Sequence, residues 1–239
     1  MTARRLAVVG VWAVAALTAC GTAAQIASTG SGGGAAGNPA SPVTITETGS
    51  TLLLPFLQEL VAPLREAYSN ITLQPSGGGS GKGMADALSG AVDLGGSDAY
   101  LSNTQAQANP DVLDLPVVVS AQAVNYNLPG VSDLRLSGDV LARIYRGDIT
   151  SWNDPAIATL NSGVTLPSTH VVPVRRTEPS GDTFIFTQFL SNTSEAWRSS
   201  PGYGASLAWP PVSGEVGTRT NRGMVSTCAA TPGCVAYVG

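Results

Sequence analysis

One histidine, His170, serves the whole chain, and only three cysteines accompany it. A His/Asp metal cluster of the kind that assists phosphate-ester hydrolysis therefore has no visible ligands. A serine hydrolase built on Ser80, Asp98 and His170 lacks its motif, because Lys82 stands where Gly-x-Ser-x-Gly needs its last glycine. His170 follows Pro167-Ser168-Thr169 and reads as an exposed loop residue. Basic residues are few: 12 Lys and Arg against 16 Asp and Glu, with no basic run. Nucleic acid is a poor partner for such a chain. There is no internal repeat, and no apolar run approaches the roughly 20 residues a membrane span requires.

The longest apolar stretch, Leu6 to Leu17, follows Arg4 and Arg5 and ends in Leu17-Thr18-Ala19-Cys20-Gly21. This is the pattern of a bacterial lipoprotein signal, residues 1–20, with Cys20 the expected lipidation site; an ordinary secretory signal is the alternative. Removing it takes two of the 12 basic residues and no acid, leaving 10 against 16, a net of −6. Residues 21–42, nearly all Gly, Ala, Ser and Thr, are expected to form a disordered tether. Cys228 and Cys234 remain, an even pair closing a short loop in an exported chain. A disulfide is the simplest reading and metal binding the weaker one.

About 197 residues follow the tether, enough for two small lobes, with the crossing placed near 121–122. Val43–Glu47 alternates like a strand, and residues 52–67 carry apolar residues at helical spacing. Strands are expected at Ile71–Pro75, Val92–Gly96, Val117–Ser120, Ala123–Tyr126 and Val171–Arg175. Helices are expected from Lys82 to Leu88, from an N-cap at Ser137 to Tyr145, from Pro155, and from Ser180 to Leu190 with Asn192 ending the last. Gly233–Gly239 reads like a strand being entered rather than a finished terminus, so the chain is expected to be incomplete there. Strand–loop–helix units predominate, and the class is α/β.

Three clusters combine hydroxyls with glycine-freed amides: Thr48–Thr51, Gly77–Gly83 with Ser97-Asp98 close behind, and Arg175–Thr183. Two of them open helices, whose unpaired N–H groups and positive dipole end favour anions. The glycine loop is not a P-loop, since Ser76 and Gly83 occupy positions that require Gly and Ser/Thr. Singly, each cluster is no more than a turn or a helix cap. Together they point to a small oxyanion.

Gly49-Ser50-Thr51-Leu52-Leu53, Gly79-Ser80-Gly81, Gly95–Ser102, Gly147–Pro155 and Ser180–Phe184 resemble, in order, the phosphate-binding proteins of bacterial phosphate ABC importers, the PstS family. The likeness is nearest to mycobacterial lipoprotein members. It implies a two-lobed periplasmic-binding-protein fold of type II with mixed sheets, lobes at 43–121 and 122–239, and phosphate in the interlobe cleft. It further implies donors from Thr51, Leu52, Ser80, Arg176, Ser180 and Gly181, and an acceptor at Asp98 for the proton of HPO₄²⁻. Asp182 stands where many members have Thr, beside the anion and able to pair with Arg175 or Arg176. Glu178-Pro179 replaces the usual Asp-Gly and keeps a carboxylate to orient Arg176. The implied chain is a lipid-anchored, extracytoplasmic receptor delivering phosphate to importer membrane subunits, with neither cofactor, metal nor catalysis. The alternatives are a receptor for another tetrahedral oxyanion, and a truncated non-transport lipoprotein. The family continues beyond Gly239, into a part that completes the second lobe and returns to the first.

Overall fold

The computed structural model describes residues 37–239; the expected signal segment, Cys20 and the first part of the expected tether lie outside the described residues. Asn38 and Pro39, at the end of the expected tether, are tied down, with Asn38 Nδ2 donating to Ser69 Oγ and Asn70 Nδ2 donating to the Pro39 carbonyl.

The chain begins with two strand–helix units. Strand β1 (Val43–Gly49) leads into α1 (Leu54–Ala67), β2 (Ile71–Gly77), α2 (Ser80–Ser89) and β3 (Leu94–Gly96). The three strands form a parallel sheet in the order β2-β1-β3. Parallel neighbours need a crossover, which α1 and α2 supply. Pro55 falls in the first turn of α1, where its missing N–H leaves nothing unpaired. The inward stripe of that helix is Leu53, Leu54, Leu57, Val61 and Leu64, all half-buried, while Phe56 and Leu60 face solvent. Helix α2 lies directly on the sheet: a Cβ at Gly83 would stand 2.5 Å from Gly96 O and 2.7 Å from Gly49 Cα. Only glycine permits that approach, and it brings Ser80 up to the ends of β1 and β3.

After the short α3 (Asn103–Ala108), capped by Ser102 and Gln105, the chain passes to a second sheet. Its strands are β4 (Ala123–Tyr126), β5 (Val172–Arg176), β6 (Val216–Thr218) and β7 (Cys234–Val238), in the order β4-β7-β5-β6. Strand β4 runs antiparallel to β7, and β5 is parallel to β6 and β7, so this sheet is mixed and the first is not. Helices α4 (Gly138–Tyr145), α5 (Pro155–Leu160), α6 (Gly181–Thr193), α7 (Glu195–Ser199) and α8 (Asn221–Ala230) complete the chain. The large core sits here, around Trp152, Trp197, Tyr145, Phe186 and Tyr237, with every residue of β7 buried. Cys228 and Cys234 form a disulfide that joins α8 to β7.

Ser137 caps α4 through Val140 N at 3.2 Å, and Asp154 caps α5 ahead of Pro155, both as the sequence suggests. The expected strand at Val117–Ser120 is absent. Its valines are exposed, Val119 at 96% of its free surface, because β-branched residues form a strand only where a neighbouring strand accepts their backbone. Helix α6 also runs past Asn192 to Thr193, and α2 begins at Ser80 rather than Lys82. The elements α3, α7, β6 and α8 carried too few periodic residues to be read in advance.

Candidate functional site

The three clusters meet around Asp98. Asp98 follows β3, and its carboxylate accepts from Ser50 Oγ at 2.5 Å and from Ser80 Oγ at 3.0 Å. Ser50 is the cap of the first turn after β1, with its Oγ also accepting from the amides of Leu52 and Leu53. The Leu52 amide, expected to face an anion, is thus directed at Ser50. Across the cleft stands the start of α6. Its first internal bond runs from Phe184 N to Ser180 O, so the amides of Gly181, Asp182 and Thr183 have no acceptor within the helix. The Ser180 amide is committed to the Ala205 carbonyl at 2.8 Å. Ser80, Ser180, Gly181 and Asp182 are all buried.

Closure over this point is tight. A Cβ on Gly181 would lie 2.4 Å from both Asp98 Oδ2 and Ser80 Oγ, and one on Gly81 would lie 2.4 Å from Pro179 Cβ. Tyr100 stacks edge-on against Phe184 and accepts from Gln188 Nε2, adding a second contact between the segment after β3 and α6.

Arg176 ends β5 and is 3% exposed. Its Nε and Nη2 donate to Glu178 Oε1, at 2.8 and 2.5 Å, and Nη1 donates to Asp182 Oδ2 at 3.1 Å and Asn221 Oδ1 at 2.8 Å. The orienting role expected of Glu178 is therefore visible. Asp182 pairs with Arg176 and not with Arg175, which turns to Glu215 at 2.6 Å. The Glu178 oxygen that holds Arg176 also accepts from Thr220 N at 2.8 Å. Burial raises the Glu178 pKa, but the bonds from Arg176 and Thr220 outweigh it and hold the carboxyl below its ordinary value.

Asp182 behaves oppositely. Burial, then the negative charge of Asp98, pushes its pKa up to about 6, against the pull of Arg176, the Gly239 amide and Gln122. The two carboxylates thus sense one another across the cleft. An acid whose pKa is higher folded than unfolded binds its proton more tightly in the native state. Its contribution to stability is present at low pH and is lost as pH rises through about 6. Lowering pH from 7 to 5 should gain about 1 kcal/mol from this group. Urea unfolding at both pH values should show that gain in the wild type and its loss in Asp182→Asn; an equal pH slope in both proteins refutes the assignment.

Sequence reasoning gave no individual role to three contributors. Ser50 had a legible signal, a serine preceding a helix turn. Asn221 and Tyr237 had none. The Tyr237 hydroxyl accepts from Arg176 N at 3.2 Å and bonds Thr183 Oγ1 at 2.7 Å, so a β7 residue fixes the end of β5 against the start of α6. His170 is exposed and bonds the Ser213 carbonyl, making no bond to Ser80 or Asp98. Among the described residues, no three His, Cys, Asp or Glu side chains are grouped to hold a metal, and no helix is long and apolar enough to cross a membrane.

A parallel sheet and a mixed sheet whose following loops bring hydroxyls, helix-start amides and a buried arginine together define a class, the two-lobed α/β binding proteins. The model of the PBP superfamily domain matches residues 29–239, and the chain belongs to that superfamily. It is 37% identical over 97% of its length to phosphate-binding protein PstS 3 of Mycobacterium tuberculosis, covering 64% of that protein. It is 32% identical over 82% of its length to phosphate-binding protein PstS of Methanocaldococcus jannaschii, covering 53% of it. The chain thus spans less than two-thirds of the length of these curated relatives. Among solved structures, a high-affinity periplasmic phosphate-binding protein bound with phosphate superposes with a TM-score of 0.62, over 82% of this chain and 56% of the other, at 24% identity. That likeness concerns the fold.

Proposed function

We propose that the chain is an extracytoplasmic receptor for inorganic phosphate that takes HPO₄²⁻ between lobes 43–121 and 122–239. It is anchored through lipid at Cys20, hands its ligand to the membrane subunits of an ABC importer, and performs no chemistry. The observation that carries this reading is the Asp98 carboxylate, held by two hydroxyls and pressed against the first turn of α6. Thr51 and Ser80 serve the ligand from one lobe, with the Leu52 amide joining them only on leaving Ser50 Oγ. From the other lobe come Arg176, the amides of Gly181 and Asp182, and the hydroxyl of Ser180, whose own amide stays on Ala205. The names of the curated relatives support it.

A carboxylate beside a dianion is tolerated only with a proton between them. HPO₄²⁻ supplies that proton and sulfate does not, so sulfate meets a like charge and leaves lone pairs unsatisfied. Calorimetric titration of the purified full chain at pH 8 should give binding to phosphate and silence with sulfate. Asp98→Asn should narrow the preference by about 10-fold or more, since an unmet buried polar contact costs about 1–3 kcal/mol. A folded wild type silent to phosphate refutes the reading, and an unchanged preference in the variant refutes the role of Asp98.

A further inference from the structure

Asn221, which bonds side chains from both halves of the site, belongs to no motif. It is the first residue of α8, and its Oδ1 accepts from Thr51 Oγ1 at 2.7 Å and from Arg176 Nη1 at 2.8 Å. Its Nδ2 donates to the Gly239 carbonyl at 3.2 Å, which fixes the orientation of the amide. The two donors come from opposite lobes, and they are side-chain donors that the phosphate reading assigns to the ligand. A carboxamide oxygen has two lone pairs, and both are engaged here. Of the two Nη1 protons, one goes to Asp182 and the other to Asn221. An oxyanion oxygen that takes the Thr51 hydroxyl and this Nη1 proton must displace Asn221 Oδ1.

The local backbone supports a functional placement. Thr220, immediately before Asn221, has φ +63°, and apart from Asp133 no other non-glycine among the described residues has a positive φ. A β-branched residue in that region is a true outlier, retained only where its surroundings over-determine it. They do so here: Thr220 N donates to Glu178 Oε1, and Thr220 Oγ1 caps α8 by accepting from Gly223 N. The start of α8 is thereby locked to the carboxylate that orients Arg176.

We propose that Asn221 is a built-in competitor for the ligand: a neutral acceptor that clasps Thr51 and Arg176 together, lowers anion affinity and favours release. This rests on the phosphate-binding reading for its ligand, but not for the clasp. The amide must be neutral. An aspartate there would add a fourth carboxylate to Asp98, Glu178 and Asp182, the third of them on Arg176, and would hold that side chain permanently.

The test is phosphate titration of the purified full chain carrying Asn221→Ala, with Asn221→Ser as a second variant that keeps a good helix-start residue but cannot span both donors. Both should bind phosphate about 5-fold more tightly than wild type, the factor expected for one net hydrogen bond. Asn221→Asp should bind at least about 10-fold more weakly, by like-charge repulsion. Equal or weaker binding in a folded Ala or Ser variant overturns the proposal. Small-angle scattering in phosphate-free buffer gives a readout that does not depend on the ligand. Loss of the clasp should enlarge the radius of gyration of the Ala and Ser variants, and a radius equal to wild type overturns the proposal. A wild type silent to phosphate would sink the receptor reading alone, leaving the scattering comparison to decide the clasp.

Discussion

Arg176→Ala is expected to destabilise the protein by about 3–5 kcal/mol, the cost of leaving buried charges without their partner. The guanidinium is the common counter-ion of Glu178 and Asp182, and the three side chains are buried together. Glu178 Oε2 already has no hydrogen-bond partner among the described residues, so little remains to compensate it once Arg176 is gone. A loss of that size is a third or more of the stability of many domains. It should appear as a lowered urea midpoint at pH 8, where both carboxyls are ionised. Arg176→Met separates packing from charge: it fills similar space, yet should be nearly as destabilising. The double variant Arg176→Met/Glu178→Gln should recover part of the loss, because one stranded charge is removed. A change of less than about 1 kcal/mol in Arg176→Ala would show that the carboxylates are hydrated or protonated and that the ion triad is not structural.

Gly181→Ala should act on binding and leave the fold intact. The new methyl carbon would meet Asp98 Oδ2 and Ser80 Oγ at 2.4 Å, well inside van der Waals contact. Both atoms belong to the opposite lobe, so a small separation of the lobes relieves the clash without disturbing either core. The backbone of Gly181 is ordinary, with no positive φ, and alanine favours a helix over glycine by up to about 1 kcal/mol. Unfolding midpoints should therefore match or exceed the wild type. Phosphate affinity should fall by about 10- to 100-fold, because the overpacking cost of roughly 1–3 kcal/mol is borne by the closed form alone. Unaltered affinity would mean that the lobes close less fully than the Gly181–Asp98 approach requires.

The helix starts around the candidate site were legible in the chain because they announce themselves locally, whereas the commitment of the Leu52 and Ser180 amides to Ser50 and Ala205 was not. Ser80-Gly81 and Ser180-Gly181 carry small polar residues at the ends of strands, and Ser137 and Asp154 cap helices where the pattern placed them. The Arg176–Glu178 pair lies two residues apart on one loop and could be anticipated from that spacing. Asn221 could not. It meets Thr51 across 170 positions, and an asparagine that opens a helix after a threonine looks like any other cap. Tyr237 was equally silent, since an aromatic in a buried strand reads as core whether or not its hydroxyl reaches Arg176. Val117–Ser120 misled for a related reason. Strand propensity records what a segment would do beside a partner, and only the assembled fold decides whether one is there.

The strand order of the second sheet also dictates when that lobe can assemble. Strand β7 lies between β4 and β5, although more than 50 residues separate it from either in sequence. A chain that emerges N-terminus first into the compartment where it folds therefore carries β4 without its antiparallel neighbour until residues 234–238 have followed, whereas the β1–β3 unit closes over local connections and can form early. Folding of the second lobe should be the slow phase, with β4 as the edge most exposed to mispairing until β7 arrives.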